Sequence, residues 1–292
     1  MPDADRSFET QVFTDVTGSS VTVAAPPLRV VSLVPSVTET VFALGAGSLL
    51  AGRTRYCVLP DPEVRAIEKV GGTKDPDVAR IIALKPDLVL ANREENRKAD
   101  IERLRAAGVN VYVDEPTTVE QGLASVSLLG RLLNHENEAD HFVRVGAKEL
   151  AELGQRLREL EQENELRLKP RPHWRPRVVA FIWKDPWMVA GARTYIGDML
   201  ETLGGTHIFK DTAERYFAVN PLELSRLAPD ILLFPDEPYN FTEPDLAYWR
   251  EQFPHAPAVA ANRLRLCSGQ DLAWYGSRIP SALKRLQPVL AW

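Results

Sequence analysis

Apolar residues along this chain fall into short blocks whose spacing switches between that of a strand and that of a helix. Residues 11–16 and 20–24 are rich in β-branched and aromatic side chains and flank Thr17-Gly18-Ser19, which predicts a hairpin. Pro26 and Pro27 end it. Arg29-Val30-Val31-Ser32-Leu33-Val34 reads as a buried strand broken by Pro35 and Ser36, and residues 37–44 as an apolar-faced helix stopped by Gly45. The alternation continues with a strand at 50–53, a helix at 78–84, a strand at 88–91, a helix at 98–107 ended by Gly108, and a strand at 109–113. Strands alternating with helices predict a mainly parallel sheet covered on both faces, an α/β fold.

From residue 136 to 169 the pattern changes. Phe142, Val145, Leu150, Leu153, Leu157 and Leu160 fall on one helical face between charged residues, which predicts a single long helix reaching on the order of 50 Å at about 1.5 Å per residue. Glu152 with Arg156 and Glu165 with Lys169 have the spacing of favourable ion pairs. The heptad-like stretch covers only residues 150–160, too short to predict a coiled coil with another chain. The proline-rich run KPRPHWRPR over 169–177 halts the helix and reads as an extended linker. Beyond it the alternation restarts, with strands at 177–182 and 231–234 and helices at 196–203, 222–227 and 281–290.

The two halves echo each other. VARIIALKPDLVLA at 78–91 matches LELSRLAPDILLFP at 222–235, with a Pro-Asp pair between helix and strand in both. Arg29-Val30-Val31 with a helix ending in Leu44-Gly45 likewise matches Arg177-Val178-Val179 with one ending in Leu203-Gly204. The expected organisation is therefore an N-terminal α/β lobe at 1–135, a connecting backbone helix at 136–169 and a C-terminal α/β lobe at 170–292.

Composition narrows the function. With 292 residues, 45% hydrophobic, 26% charged and a net charge of −5, the chain has an ordinary globular makeup and no basic footprint for nucleic acid or an anionic membrane. Its apolar runs are too short to span a bilayer, so it is not expected to be membrane-embedded. The 2 cysteines cannot supply a disulfide framework. The start, MPDADRSFETQVFTDVTGSS, carries acids where a secretory leader is basic and lacks an apolar core. The expectation from the chain as written is a cytoplasmic location, or a periplasmic or cell-surface one if a leader has been removed.

RVVSLVPSVTETVFALGAG, IIALKPDLVLA, ETLGGTHIFKD and a late WYGSR followed by a helix together resemble the class III substrate-binding proteins of ABC importers, the helical-backbone metal receptors for cobalamin, ferric siderophores and haem. The likeness runs from about residue 20 onward. It implies two Rossmann-like lobes on one backbone helix with a ligand cleft between them, no catalysis and no intrinsic cofactor, and a cobalt or iron chelate as ligand. It also implies an ABC permease as a possible partner.

In parallel α/β sheets ligands sit beyond the carboxyl ends of the strands. The loops there offer Tyr56, Thr73, Asn92, Trp183, Lys184, Trp187, Tyr239, Trp274, Tyr275 and Arg278 as candidate ligand-binding residues. Trp183, Trp187 and Trp274 suit the face of a flat chelate; Lys184 and Arg278 suit carboxylate or phosphate groups. Tyr56, Tyr239 and Tyr275 could donate to the ligand, ligate ferric iron as phenolates, or simply pack. Arg53 and Arg55 could be solvated or paired with Glu94 and Glu95. His135, His141, His173, His207 and His255 are scattered outside these loops, so direct metal binding is not expected; Cys57, at a strand end, is the single candidate, with a buried inert thiol as its alternative. A bond between Cys57 and Cys267 is not expected.

Two departures from the resemblance matter. Importer-linked members carry a docking glutamate on each lobe, whereas Ala79 and Leu222 stand at those positions, with Asp77 and Glu223 nearby, and Thr73 stands where the cobalamin receptor presents a tryptophan. A cytosolic handover or sensing protein of the same fold is the alternative. An enzyme is not expected, because no glycine-rich phosphate loop, P-loop lysine or nucleophile elbow follows a strand.

Overall fold

The computed structural model describes residues 9–168 and 174–290. Strands β1 (Glu9–Thr14) and β2 (Ser20–Ala25) form the antiparallel hairpin, with Gly18 at φ +81° in its turn. Asp15 fixes that turn. Its Oδ1 accepts from Thr17 N (2.9 Å), Thr17 Oγ1 (2.6 Å) and Ser19 N (3.1 Å), while Oδ2 accepts from Val113 N (3.2 Å) and the Arg105 guanidinium.

Next come β3 (Val30–Ser32), α1 (Pro35–Ala43), β4 (Leu50–Arg53), α2 (Val78–Ala83), β5 (Leu88–Asn92), α3 (Lys98–Ala106) and β6 (Val111–Asp114). The four strands are parallel in the order β4-β3-β5-β6, and Val31, Leu33, Val89, Ala91, Val111 and Val113 pack with Ile81, Ile101 and Leu104 into the core on one face. The strand ends before Pro35 and Ser36 as expected, but the helix begins two residues earlier than the sequence suggests: these two residues open α1, where a proline at the first position loses no hydrogen bond. Two helices follow, α4 (Val119–Leu133) and α5 (Glu136–Glu165). The second is the long helix read from the sequence. Glu152 pairs with Lys148 at 3.7 Å rather than with Arg156. The expected Glu165–Lys169 pair and the linker at 169–173 lie outside the described residues.

The second half adds β7 (Arg177–Trp183), β8 (Met188–Ala190), α6 (Tyr195–Thr202), β9 (Thr206–His207), β10 (Tyr216–Ala218), α7 (Pro221–Arg226) and β11 (Ile231–Pro235). It closes with α8 (Glu243–Gln252), α9 (Pro257–Ala260), β12 (Leu264–Cys267), α10 (Gly269–Ala273) and α11 (Ile279–Leu286), the last running into a 3-10 turn at Gln287–Leu290. Parallel strands β9, β7, β11 and β12 carry the sheet, and β8 and β10 extend it antiparallel beside β7. Its core is aromatic: Phe181, Phe234, Phe241, Trp187 and Trp249 are all buried together.

The chain divides into two units, Met1–Pro116 with Leu123–Arg144, and Thr117–Gly122 with Val145–Trp292, so α5 begins in the first and ends in the second. The echo seen in the sequence extends to hydrogen bonds within each unit. Asp77 caps α2 by accepting from Arg80 N, and Asn220 caps α7 by accepting from Leu222 and Glu223 N. Each helix ends in a left-handed residue before the proline, Lys85 at φ 48° and Ala228 at φ 52°. Each Pro-Asp carboxylate then grips the start of the neighbouring strand: Asp87 Oδ2 accepts from Arg29 N (2.8 Å) and Asp230 Oδ2 from Arg177 N (2.8 Å).

Candidate functional site

In the first unit the strand-end loops are held rigidly by their own polar groups. Arg53, at the end of β4, is buried; its Nε donates to Val64 O (2.9 Å) and its Nη1 to Thr54 O (3.1 Å) and Cys57 O (2.9 Å). Arg55 forms a forked pair with Asp75 at 2.8 Å and lies 5.1 Å above the Tyr56 ring. The sequence allowed these arginines to pair with Glu94 and Glu95, and the structure gives them other partners. Gly72 explains the choice for Arg55: a Cβ there would meet Asp75 Oδ1 at 2.2 Å, so only a glycine leaves room for the pair. Tyr56 is left 52% exposed.

Thr73 and Asn92 are buried in the frame behind this surface. Asn92 Oδ1 accepts from Glu94 N (2.7 Å) and Glu95 N (3.1 Å), and Asn96 Nδ2 ties Thr73 O (3.0 Å) to Leu33 O (3.2 Å). Lys74 Nζ donates to Glu94 O. Burial pushes the Glu95 carboxyl up, against the pull of Lys74. Cys57 is fully buried, its sulfur 3.1 Å from both Thr38 Oγ1 and Thr54 Oγ1, and burial raises its thiol pKa. A neutral, enclosed thiol is the state this environment favours.

In the second unit the loops after β7 and β11 bring aromatic rings together. Trp183, at the end of β7, is 44% exposed, and its ring meets Tyr239 edge-on at 5.6 Å. Tyr239 packs on Phe241 (4.7 Å), which stacks on Trp187 (5.9 Å), which stacks on Tyr248 (5.6 Å). Trp187 is thus part of the core, and Trp183 is the outer end of a continuous ring array. Lys184 Nζ lies 5.6 Å over the Trp187 ring and donates to Asp245 (2.6 Å), the capping-box residue of α8, and that hydrogen bond raises the lysine pKa.

A second cluster follows β12. Trp274 and Tyr275 are buried; Arg278 lies 5.4 Å over the Trp274 ring, and Tyr275 meets Tyr195 at 6.2 Å. Arg278 Nη1 donates to Asp271 Oδ1 (2.8 Å), and Arg285 binds both oxygens of the same carboxylate at 2.6 Å. Burial pulls Asp271 up, but the two guanidiniums outweigh it and hold it below the usual carboxylate range. Burial raises the Glu237 carboxyl, which Trp274 and Gln270 hydrogen-bond. Asp236 and Glu237 follow β11, Asp245 lies in α8 and Asp271 in α10, so no single stretch of sequence marks these four acids as a group.

Among the described residues no group of three or more His, Cys, Asp or Glu side chains could hold a metal ion, and no helix is long and apolar enough to cross a membrane. His207 is buried, donating from Nε2 to Ala190 O (3.0 Å) and accepting at Nδ1 from Phe209 N (3.1 Å); burial lowers its pKa, so it stays neutral and structural. Both cysteines are free.

A vitamin B12-binding protein of Photorhabdus laumondii is 31% identical over 211 residues, 72% of this chain and 71% of that protein. An uncharacterised ABC transporter substrate-binding lipoprotein of Bacillus subtilis is 27% identical over 242 residues, 80% of this chain and 73% of that one. The periplasmic vitamin B12 binding protein of Vibrio cholerae has the same fold, with a TM-score of 0.72 at 21% identity over 91% of this chain and 97% of that one. The periplasmic haem-binding protein of Roseiflexus sp. RS-1 gives a TM-score of 0.72 at 20% identity, over 90% and 97%. Residues 30–269, from the first residue of β3 to the first of α10, match the family of periplasmic binding proteins, solute receptors rather than enzymes, and the chain belongs to that family.

Proposed function

We propose that this chain is a non-catalytic receptor for a bulky metal chelate of the cobalamin, haem or ferric siderophore class, received by the strand-end loops. The observation that carries this reading is the Trp183–Tyr239 array, an exposed indole backed by rings that extend into the core. A flat ligand laid on it would cover on the order of 100 Å² of apolar surface, about 2.5 kcal/mol at roughly 25 cal/mol per Å². In the second unit Trp183 and Tyr239 would contact the ligand, with Trp187, Lys184, Trp274, Tyr275 and Arg278 around them; in the first unit Tyr56 is the exposed candidate, with Asn92 and Thr73 behind it. Titration with cobalamin, haemin and a ferric hydroxamate should quench tryptophan fluorescence for at least one, and Trp183→Ala should weaken that binding about tenfold or more. No response to any of them at tens of micromolar would overturn the reading.

The partner proposed is an ABC permease and the setting periplasmic or cell-surface; a relative in Bacillus subtilis is named as an ABC transporter substrate-binding lipoprotein. One observation favours the other reading, a handover or sensing protein without a permease. Leu222 is 49% exposed where an importer-linked receptor would present a docking glutamate, and Asp77 is engaged as the α2 cap, leaving Glu223 as the exposed acid on α7. Ligand-stimulated ATP hydrolysis by a reconstituted permease in the presence of the unmodified chain decides for transport.

A further inference from the structure

Away from the strand-end loops, the second unit contains a trough of about 320 Å³, within the range of small-molecule sites. Leu153 and Leu157 of α5 form its floor with Leu203 and Leu290, and Trp174 forms one wall. Gly204, at φ +92°, opens it: a Cβ there would meet Leu157 Cδ2 at 2.5 Å. The rim is charged. Arg156 and Arg167 line it with Glu163, and both arginines are exposed without an ion pair among the described residues. Helical spacing offers Arg156 two carboxylates, Glu152 and Glu159; Lys148 pairs with the first and Gln155 Nε2 donates to the second (2.9 Å). The apolar stripe also continues past its cover, leaving Leu160 47% exposed at the rim.

We propose that this trough is a second ligand site, for an amphipathic monocarboxylate such as a medium-chain fatty acid, with its alkyl body on the leucines and its carboxylate at the arginine rim. The excess of two guanidiniums over one carboxylate sets the sign of the ligand's charge, and the leucine floor requires an apolar body.

Decanoate, titrated into the full chain by calorimetry below its micellar concentration, should bind saturably at one site. Octanoate, two methylenes shorter, should bind about tenfold more weakly, given about 0.8 kcal/mol per buried methylene. The double variant R156E/R167E should lose decanoate binding about tenfold or more while unfolding at the same urea concentration as the parent. Trp183→Ala should leave the decanoate titration unchanged. Absence of saturable binding, equal affinity for decylammonium, or unchanged affinity in the double variant would each overturn the proposal. So would dimerisation that competes with decanoate, which would assign the trough to a second copy. Sedimentation with phosphatidylglycerol vesicles without binding of free decanoate would assign it to a membrane surface, and overturn it too.

Discussion

Asp15 shows how much one carboxylate can organise. Burial pulls its pKa up, but the Thr17 and Ser19 hydrogen bonds and the Arg105 charge outweigh that and hold it below the ordinary aspartate value. A group with a depressed folded pKa adds stability that is present above its unfolded pKa of about 3.9 and is lost as pH falls through the folded value. Asp15→Asn removes the charge and sets an amide N–H against Val113 N, so urea unfolding at pH 7 should show a loss of about 2–3 kcal/mol. Between about pH 4 and pH 2 the gap between parent and variant should narrow; a constant gap would show that the charge contributes nothing. None of this was legible in the sequence, because Asp15 meets Arg105 and Val113 only after the hairpin docks. The candidate site shows the same limit. Tyr56, Trp183 and Tyr239 could be placed at strand ends from the alternation alone, but the burial of Trp187 and Trp274 and the pairing of Lys184 with Asp245, 61 residues away, follow from tertiary packing.

At the scale of elements, the duplicated helix–strand unit sets up a paired test. Lys85 and Ala228 both adopt left-handed backbone before a proline, a conformation that costs a side-chain-bearing residue about 1–2 kcal/mol, partly offset in glycine by a more flexible unfolded chain. Lys85→Gly and Ala228→Gly should each raise stability by roughly 0.5–1 kcal/mol in urea unfolding. A loss in either would mean that the side chain contributes packing that outweighs the backbone term. Elements of this kind were readable because helix, Pro-Asp and apolar strand follow one another within a few residues. Others were not. Strands β8, β9 and β10 have two or three residues each, too few for an alternation to show. Helix α4 is absent from the sequence reading although it had its signals: Thr118 Oγ1 accepts from Gln121 N at the start, Val119, Leu123, Val126, Leu129 and Leu133 keep helical spacing, and Asn134 at φ 60° ends it. Helix α8 was missed in the same way, its signal being Thr242 and Asp245, the capping box around Pro244.

Across the whole molecule, a net charge of −5 and the pairing of the cations in the second unit's strand-end loops bear on the kind of chelate received. Lys184 is neutralised by Asp245, and Arg278 shares Asp271 with Arg285, so a ligand that needs a positive clamp would have to break pairs already made in part-buried surroundings. Stacking on Trp183 and Tyr239 makes no such demand. Binding dominated by stacking should be nearly indifferent to salt, since raising ionic strength from about 0.1 M to about 1 M shortens the Debye length from about 10 Å to about 3 Å and weakens only exposed charge pairs. The chelate that quenches tryptophan fluorescence should therefore keep its Kd within about threefold over that range. Lys184→Ala should behave as a stability variant, lowering the unfolding midpoint by leaving the buried Asp245 carboxylate without its cation, while leaving affinity within the same limit. A tenfold loss of affinity in high salt, or in Lys184→Ala at unchanged stability, would point to an anionic chelate held by charge and would move the recognition from the ring array to the cations.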